Sequence, residues 1–273
     1  MTARSVVLSV LLGAHPASAT AAELVRLTSD FGIREPTVRV ALTRMVSAGD
    51  LVRSEDGYRL ADRLLARQRR QDDAINPAGL AWGGSWLTLV VTSTGNDART
   101  RANLRNQLQE KRFAELREGV WMRPDNVNLD LGDDIRCRVR TLRAHDERPA
   151  ELAAELWDLQ GWAKTGTRLL AEMARADDIP GRFVVAAAMV RHLLTDPVLP
   201  DELLPAGWPG DELRSAYHEF AAELVARRDG AEFVASRDGA EFVASRDGAE
   251  FVASRDGAEF VASRDGAELM EAQ

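Results

Sequence analysis

At 273 residues, with hydrophobic residues at 45%, the chain is long enough for two or three small domains and apolar enough to give each a core. Its single cysteine, Cys137, excludes an internal disulfide, and beyond the opening stretch no apolar run approaches the roughly 20 residues of a membrane span. The net charge of −8 is unevenly spread: residues 1–70 carry eleven arginines, no lysine and seven acids, a net of +4, whereas residues 71–227 and 228–273 each stand at −6.

A mildly basic segment on an acidic body points to contact with a polyanion through that segment alone. The chain opens MTARSVVLSVLLGAHPASATAAELV, in which Arg4, the apolar Val6–Leu12 and Ala17-Ser18-Ala19 have the parts of a secretory signal. The apolar run is only about eight residues long, and an amphipathic stretch follows it at once. It therefore reads as the first helix, over 5–13, of a domain whose core needs it, and a cytoplasmic protein is expected. A second helix is expected from Thr20, with Thr20 and Glu23 as a capping box, through Leu24 and Leu27 to near Phe31-Gly32.

A third helix lies in REPTVRVALTRMVSAGDL, with Pro36 in its first turn and Gly49 after its end. Val38, Leu42, Met45 and Val46 share one apolar face, while Thr37, Val40, Thr43, Arg44 and Ser47 lie opposite and Arg39 at the border. LVRSEDGYRL then predicts a β-hairpin, Leu51–Arg53 and Tyr58–Leu60 around Asp56-Gly57. Three helices and a hairpin are the layout of a winged helix-turn-helix, here over residues 1–71. Such a module lays its third helix in the DNA major groove and its wing along the backbone. Arg34, Glu35, Thr37, Val40 and Arg44 are then expected to face base edges, with Thr43 beside them, and Arg39, Arg53 and Arg59 to meet phosphates.

Residues 63–71, RLLARQRRQ, predict a basic, solvated helical connector. Residues 72–147 predict a strand over Trp86–Thr92, a helix over 98–112, two short strands around Gly119 and a last strand in IRCRVRTL. In that strand Ile135, Cys137 and Val139 would share one face and Arg136, Arg138 and Arg140 the other, so Cys137 is expected to be a buried structural thiol. The order suggests a ferredoxin-like sheet whose second helix is shortened to something within NVNLDLGDD. Residues 148–227 predict a helical domain: one long helix or a broken pair over 150–173, a helix in GRFVVAAAMVRHLL, a stiff loop in DPVLPDELLPAGWPG and a closing helix over 210–227. From Arg228 the unit RDGAEFVAS occurs four times, and this tail, 228–273, is expected to be disordered or frayed helix outside the core. It has one glycine per repeat and so lacks the pattern of calcium-binding nonapeptides. The fold class expected is a multidomain α+β chain.

Several phrases resemble one family. The winged helix, Trp82 and Trp86 before a buried strand, GVWMRPDN (119–126), LWDLQGW (156–162) and DPVLPDELLPAGWPG (196–210) are similar to the PaaX family, named for the bacterial repressor of phenylacetic acid degradation. The resemblance spans about residues 4–226. It implies a dimeric transcriptional repressor that leaves its operator DNA when an acyl-CoA thioester such as phenylacetyl-CoA binds. It also implies a central domain related to a small CRISPR adaptation nuclease. Gly83-Gly84 stand where many relatives carry an acidic residue, a departure that bears on the effector's identity.

An acyl-CoA effector needs arginines for its phosphates and an apolar slot for its acyl group. Trp157, Trp162, Arg182, Arg191 and His192 are candidates in the helical body, and Trp121 and Arg123 in the strand before it. No catalytic, metal or cofactor site is expected, since the four histidines lack ligand spacing and no phosphate-binding or nucleophile motif occurs. The alternative is a metal-dependent nuclease on the central domain, for which Asp97 and Asp133-Asp134 are the acids to test. The partners expected are duplex operator DNA and a second copy of the chain, and no membrane.

Overall fold

The computed structural model describes residues 1–93 and 97–229, and in the tail the backbone of 232–235, 241–246, 249–254 and 261–264. The chain divides into two compact units. One comprises Met1–Gln71, Glu172–Ala188 and Ser215–Gln273, and the other Asp72–Ala171 and Met189–Arg214.

In the first unit the signal-like opening is helix α1 (Ala3–Gly13). It begins two residues before the expected start because Thr2 and Ser5 form a capping box. Its apolar run supplies core: Val7, Leu11 and Leu12 pack with Leu24, Val38, Leu42 and Met45. Helix α2 (Ala21–Ser29) has the capping box expected, Thr20 Oγ1 accepting from Glu23 N and Glu23 returning to Thr20 N. Helix α3 (Glu35–Ser47) buries Val38, Leu42 and Met45 and leaves Val46 half-buried. It stops at Gly49, whose φ of 69° lets Gly49 N reach Val46 O and Asp50 N reach Met45 O.

Strands β2 (Leu51–Ser54) and β3 (Gly57–Leu60) form the hairpin. A third strand, β1 (Ser18–Ala19), pairs antiparallel with β3 and is the segment that mimicked a cleavage site. Its two residues are too few to show an alternating pattern. Helix α4 (Asp62–Ile75) follows. Gln68 on its inner side donates from Nε2 to the carbonyls of Leu11, Leu12 and Ala14, closing the end of α1.

The second unit holds a four-stranded antiparallel sheet in the order β5-β6-β4-β7: β4 (Trp86–Val91), β5 (Ala114–Arg117), β6 (Val120–Pro124) and β7 (Val139–Ala144). Helix α5 (Ala98–Glu110) connects β4 to β5, and α6 (Asp133–Arg136) precedes β7. This is ferredoxin-like connectivity with the second helix reduced to one turn. One face packs Leu89 and Trp121 on Leu104, Leu108 and Ile135; the other packs Trp86 and Met122 on Leu152, Leu159 and Leu203.

The expectation of a strand through IRCRVRTL is corrected here. After Gly132 (φ 72°), Asp133 and Asp134 begin a helical turn in which Arg136 N and Cys137 N bond back to Gly132 O and Asp133 O. Acids at a helix start are favoured by its dipole, and this local preference overrides the alternation read from the sequence. Cys137 is therefore exposed, not buried. The three arginines do not form a row: Arg136 pairs with Asp130 and Asp133 on α6, and only Arg140 lies in β7.

Helices α7 (Pro149–Leu156) and α8 (Leu159–Arg175) are a broken pair, because Trp157 is extended and Asp158 accepts from Gly161 N to start the second. Helices α9 (Ile179–Leu193) and α10 (Gly210–Asp229) complete the helical part. Each of α8, α9 and α10 contributes to both units.

In the tail, expected to be disordered or frayed helix, the described segments are extended. Residues Glu232–Ala235, Glu241–Arg246, Ala249–Ser254 and Val261–Arg264 are strands, paired antiparallel with Val234, Val243, Val252 and Val261 in register. Phe-Val in every repeat favours strand over helix. Among the described residues no helix is long and apolar enough to cross a membrane.

Candidate nucleic-acid interface

Helix α3 presents its two faces very differently. Val38, Leu42 and Met45 are at most 1% exposed, whereas Arg34, Glu35, Thr37, Arg39, Val40, Thr43 and Arg44 are all exposed, and so are Arg53 and Arg59 on the hairpin. Val40, at 51% exposure, is an apolar side chain left in solvent beside Arg44. Arg39 is held by Glu35 at 2.6 Å, one turn back. Thr43 turns its hydroxyl onto Arg39 O at 3.1 Å. Arg53 lies 5.7 Å over the Tyr58 ring, and Arg59 contacts Asp62 at 3.3 Å. Exposed pairs of this kind contribute under about 1 kcal/mol, so both arginines can turn to an anion at little cost.

The start of α3 is open. Arg34 is its N-cap and makes no side-chain capping bond, and Pro36 follows in the first turn. Nearby, a cleft of about 660 Å³ separates the start of α1 from the outer face of α3, lined by Ala3, Arg4, Thr37, Val40, Arg44 and Asp50 among others.

Asp50, 1% exposed, sits at the base of this cleft and was not singled out by the sequence. Its Oδ2 accepts from Arg4 Nε and Nη2 at 3.0 and 2.8 Å, and its Oδ1 accepts from Arg63 Nη2. Arg63 Nε also donates to Gly49 O at 2.9 Å. One buried carboxylate thus ties α1 and α4 to the end of α3, a convergence of positions too far apart in sequence to be read from any motif.

The effector candidates fall into separate places, all but Arg182 in the second unit. Trp121, 3% exposed, is in the core on one face of the sheet, with Arg105 5.5 Å over its ring. Arg123, also 3% exposed, donates to Lys111 O, Pro124 O and Asn126 Oδ1, and burial pulls its guanidinium down to about 10. Trp157 stacks on Trp86. Trp162 is sandwiched between His192 and Trp208, with ring centroids at 4.2 and 4.3 Å, and its Nε1 donates to Thr195 Oγ1.

Trp162 and His192 are therefore together, with Arg191 exposed on the same helix, but both ring faces of Trp162 are already occupied. Arg182 belongs to the first unit, where Glu223 takes its guanidinium. Asn126 links the central strands to the proline-rich loop by donating to Val198 O, and Asp196 in that loop accepts from Val198 N and Arg214.

The acids of the nuclease alternative are in other roles. Asp97 is the N-cap of α5, and its bonds from Thr100, backbone first and then side chain, hold its carboxyl below the usual value. Asp133 and Asp134 begin α6. Among the described residues no group of three or more His, Cys, Asp or Glu side chains is placed to hold a metal.

Comparison with known proteins gives three matches in chain order: a PaaX-like protein model over residues 2–64, a PaaX protein central Cas2-like domain over 79–144, and a PaaX-like protein C-terminal domain over 157–236. The transcriptional repressor PaaX of Escherichia coli (strain K12) is 29% identical over 221 residues, which are 70% of this chain and 69% of that one. A solved structure of an uncharacterized protein from Mycobacterium tuberculosis is 70% identical, with a TM-score of 0.77 over 84% of this chain and 98% of its own. The three family parts, each over the segment whose fold it describes, lead to one statement: the chain belongs to the PaaX family.

Proposed function

We propose that the chain is a cytoplasmic, dimeric transcriptional repressor whose first 71 residues are a winged helix-turn-helix on operator DNA. The observation that carries this reading is α3: an apolar face with Val38, Leu42 and Met45 buried backs an outer face on which every expected contact residue is exposed. Arg34, Glu35, Thr37, Val40, Thr43 and Arg44 face base edges, Val40 offering its methyls to a thymine methyl and Arg44 its fork to a guanine. Arg39, Arg53 and Arg59 contact phosphates. The repressor named among its relatives supports the same assignment.

A two-fold dimer reads half-sites about one helical turn apart, or a multiple of that. The effector is an acyl-CoA thioester that binds the DNA-free state more tightly and so draws the protein off its operator. Fluorescence anisotropy on duplex DNA from the chain's own upstream region, against a scrambled duplex across a salt series, tests the reading. Specific binding with a steep salt slope is expected, and CoA thioesters should then release the complex. Salt-independent binding, or none to either duplex, would overturn it.

A further inference from the structure

We infer that Arg4 and Arg63, clamped by Asp50, and Arg67 and Arg70 beyond them form a phosphate track that holds the DNA backbone beside the α3 contact. The inference rests on the DNA-binding reading and extends its footprint to α1 and α4. Asp50 is one negative charge shared by two guanidiniums, so the cluster is left with a net positive charge. The carboxylate is 2% exposed at its side chain, yet Arg4 and Arg63 remain 60% and 57% exposed. Their inner edges are fixed by hydrogen bonds while their outer edges face solvent. A fixed guanidinium loses less rotational freedom on meeting an anion than a free one, and its fork matches phosphate geometry.

The track continues along α4. At 100° per residue Arg63, Arg67 and Arg70 lie within about 60° of arc and about 10 Å of rise. Gln68, tied to the end of α1, points to the other side. Arg67 and Arg70 are exposed, and among the described residues neither has a carboxylate within salt-bridge reach; the nearby Asp62 is in contact with Arg59. Arg4 lines the same cleft as Thr37, Val40 and Arg44, so the clamp opens onto the surface assigned to the duplex. The occupant with matching charge is a sugar–phosphate strand of that duplex. Asp50 acts here as a positioning residue.

The test measures log K against log salt for the full chain on the upstream duplex. Removing one arginine–phosphate pair should lower the slope by about 0.9. Arg67→Gln with Arg70→Gln removes two exposed charges and should lower the slope by about 2, with the preference for upstream over scrambled DNA kept. Arg4→Gln should lower it by about 1. Arg117→Gln, an exposed charge on β5, controls for net charge and should leave the slope unchanged.

Wild-type slope in the Arg67/Arg70 double variant, or an equal fall in Arg117→Gln, would overturn the track while leaving the α3 reading intact. If Arg4→Gln melts early, the double variant alone decides. Absence of salt-dependent binding by the wild type would instead overturn the DNA-binding reading itself.

Discussion

Gly57 shows how one position can decide whether β1 joins the hairpin. Its φ is 153°, and a Cβ there would lie 2.4 Å from Ala19 O and 2.8 Å from Thr20 Cα, both backbone atoms that cannot swing aside. Gly57→Ala should therefore cost about 3 kcal/mol, from overpacking together with an unfavourable dihedral. Chemical denaturation reads this directly, and a loss under about 0.5 kcal/mol would mean that β1 yields without consequence. Asp-Gly in SEDGYRL signalled a turn in the sequence, but not that another strand approaches it. The same blindness hid Asp50, whose partners come from α1 and α4.

The stack of His192, Trp162 and Trp208 joins α8, α9 and the stretch before α10 within the second unit. Burial lowers the His192 pKa below its ordinary 6.5, against smaller raising effects from Trp162 O and Asp196. The unfolded chain then takes up the proton more readily, so the stabilisation is complete above 6.5 and is lost as pH falls from there through the lower folded value. Thermal melts at pH 7.5 and 5.5 should show a fall on acidification that His192→Gln reduces. Parallel falls in both proteins would place the effect elsewhere. The capping box of α2 and the buried face of α3 were legible in the sequence because their signals are local. The turn at Asp133-Asp134 was misread because a short alternating pattern outweighed the helix-start signal just before it. The partners of Trp162 were not legible at all, since packing alone brings them together.

Across the whole chain, the sequence separates 148–227 as one helical block, whereas the fold assigns Glu172–Ala188 to the unit of the first 71 residues. Within that unit Phe183 meets Phe31 edge-on at 5.0 Å, and Arg227 reaches Asp30 at 3.7 Å. Neither pairing has a sequence signature, and both bring the helical part to the end of α2. The candidate interface itself was more legible, because exposure on α3 follows from the helical period. Its base-facing and phosphate-facing residues should separate in binding assays. Arg44→Ala should lose about 1–3 kcal/mol on the upstream duplex and little on scrambled DNA, whereas Arg53→Ala or Arg59→Ala should weaken both alike. Equal losses on both duplexes for Arg44→Ala would remove it from the base-reading set.

If Arg34 contacts DNA as proposed, the uncapped start of α3 sets folding against binding. Arg34 occupies a position where serine or aspartate would satisfy a first-turn N–H and stabilise the helix by about 1 kcal/mol. Arg34→Ser should therefore raise the melting temperature while weakening the hold on DNA. A variant that gained in both would show that arginine serves no purpose there. On the proposed reading, the stability forgone at this one residue is the trade that a surface kept ready for a ligand makes, and a chain optimised for folding alone would not retain it.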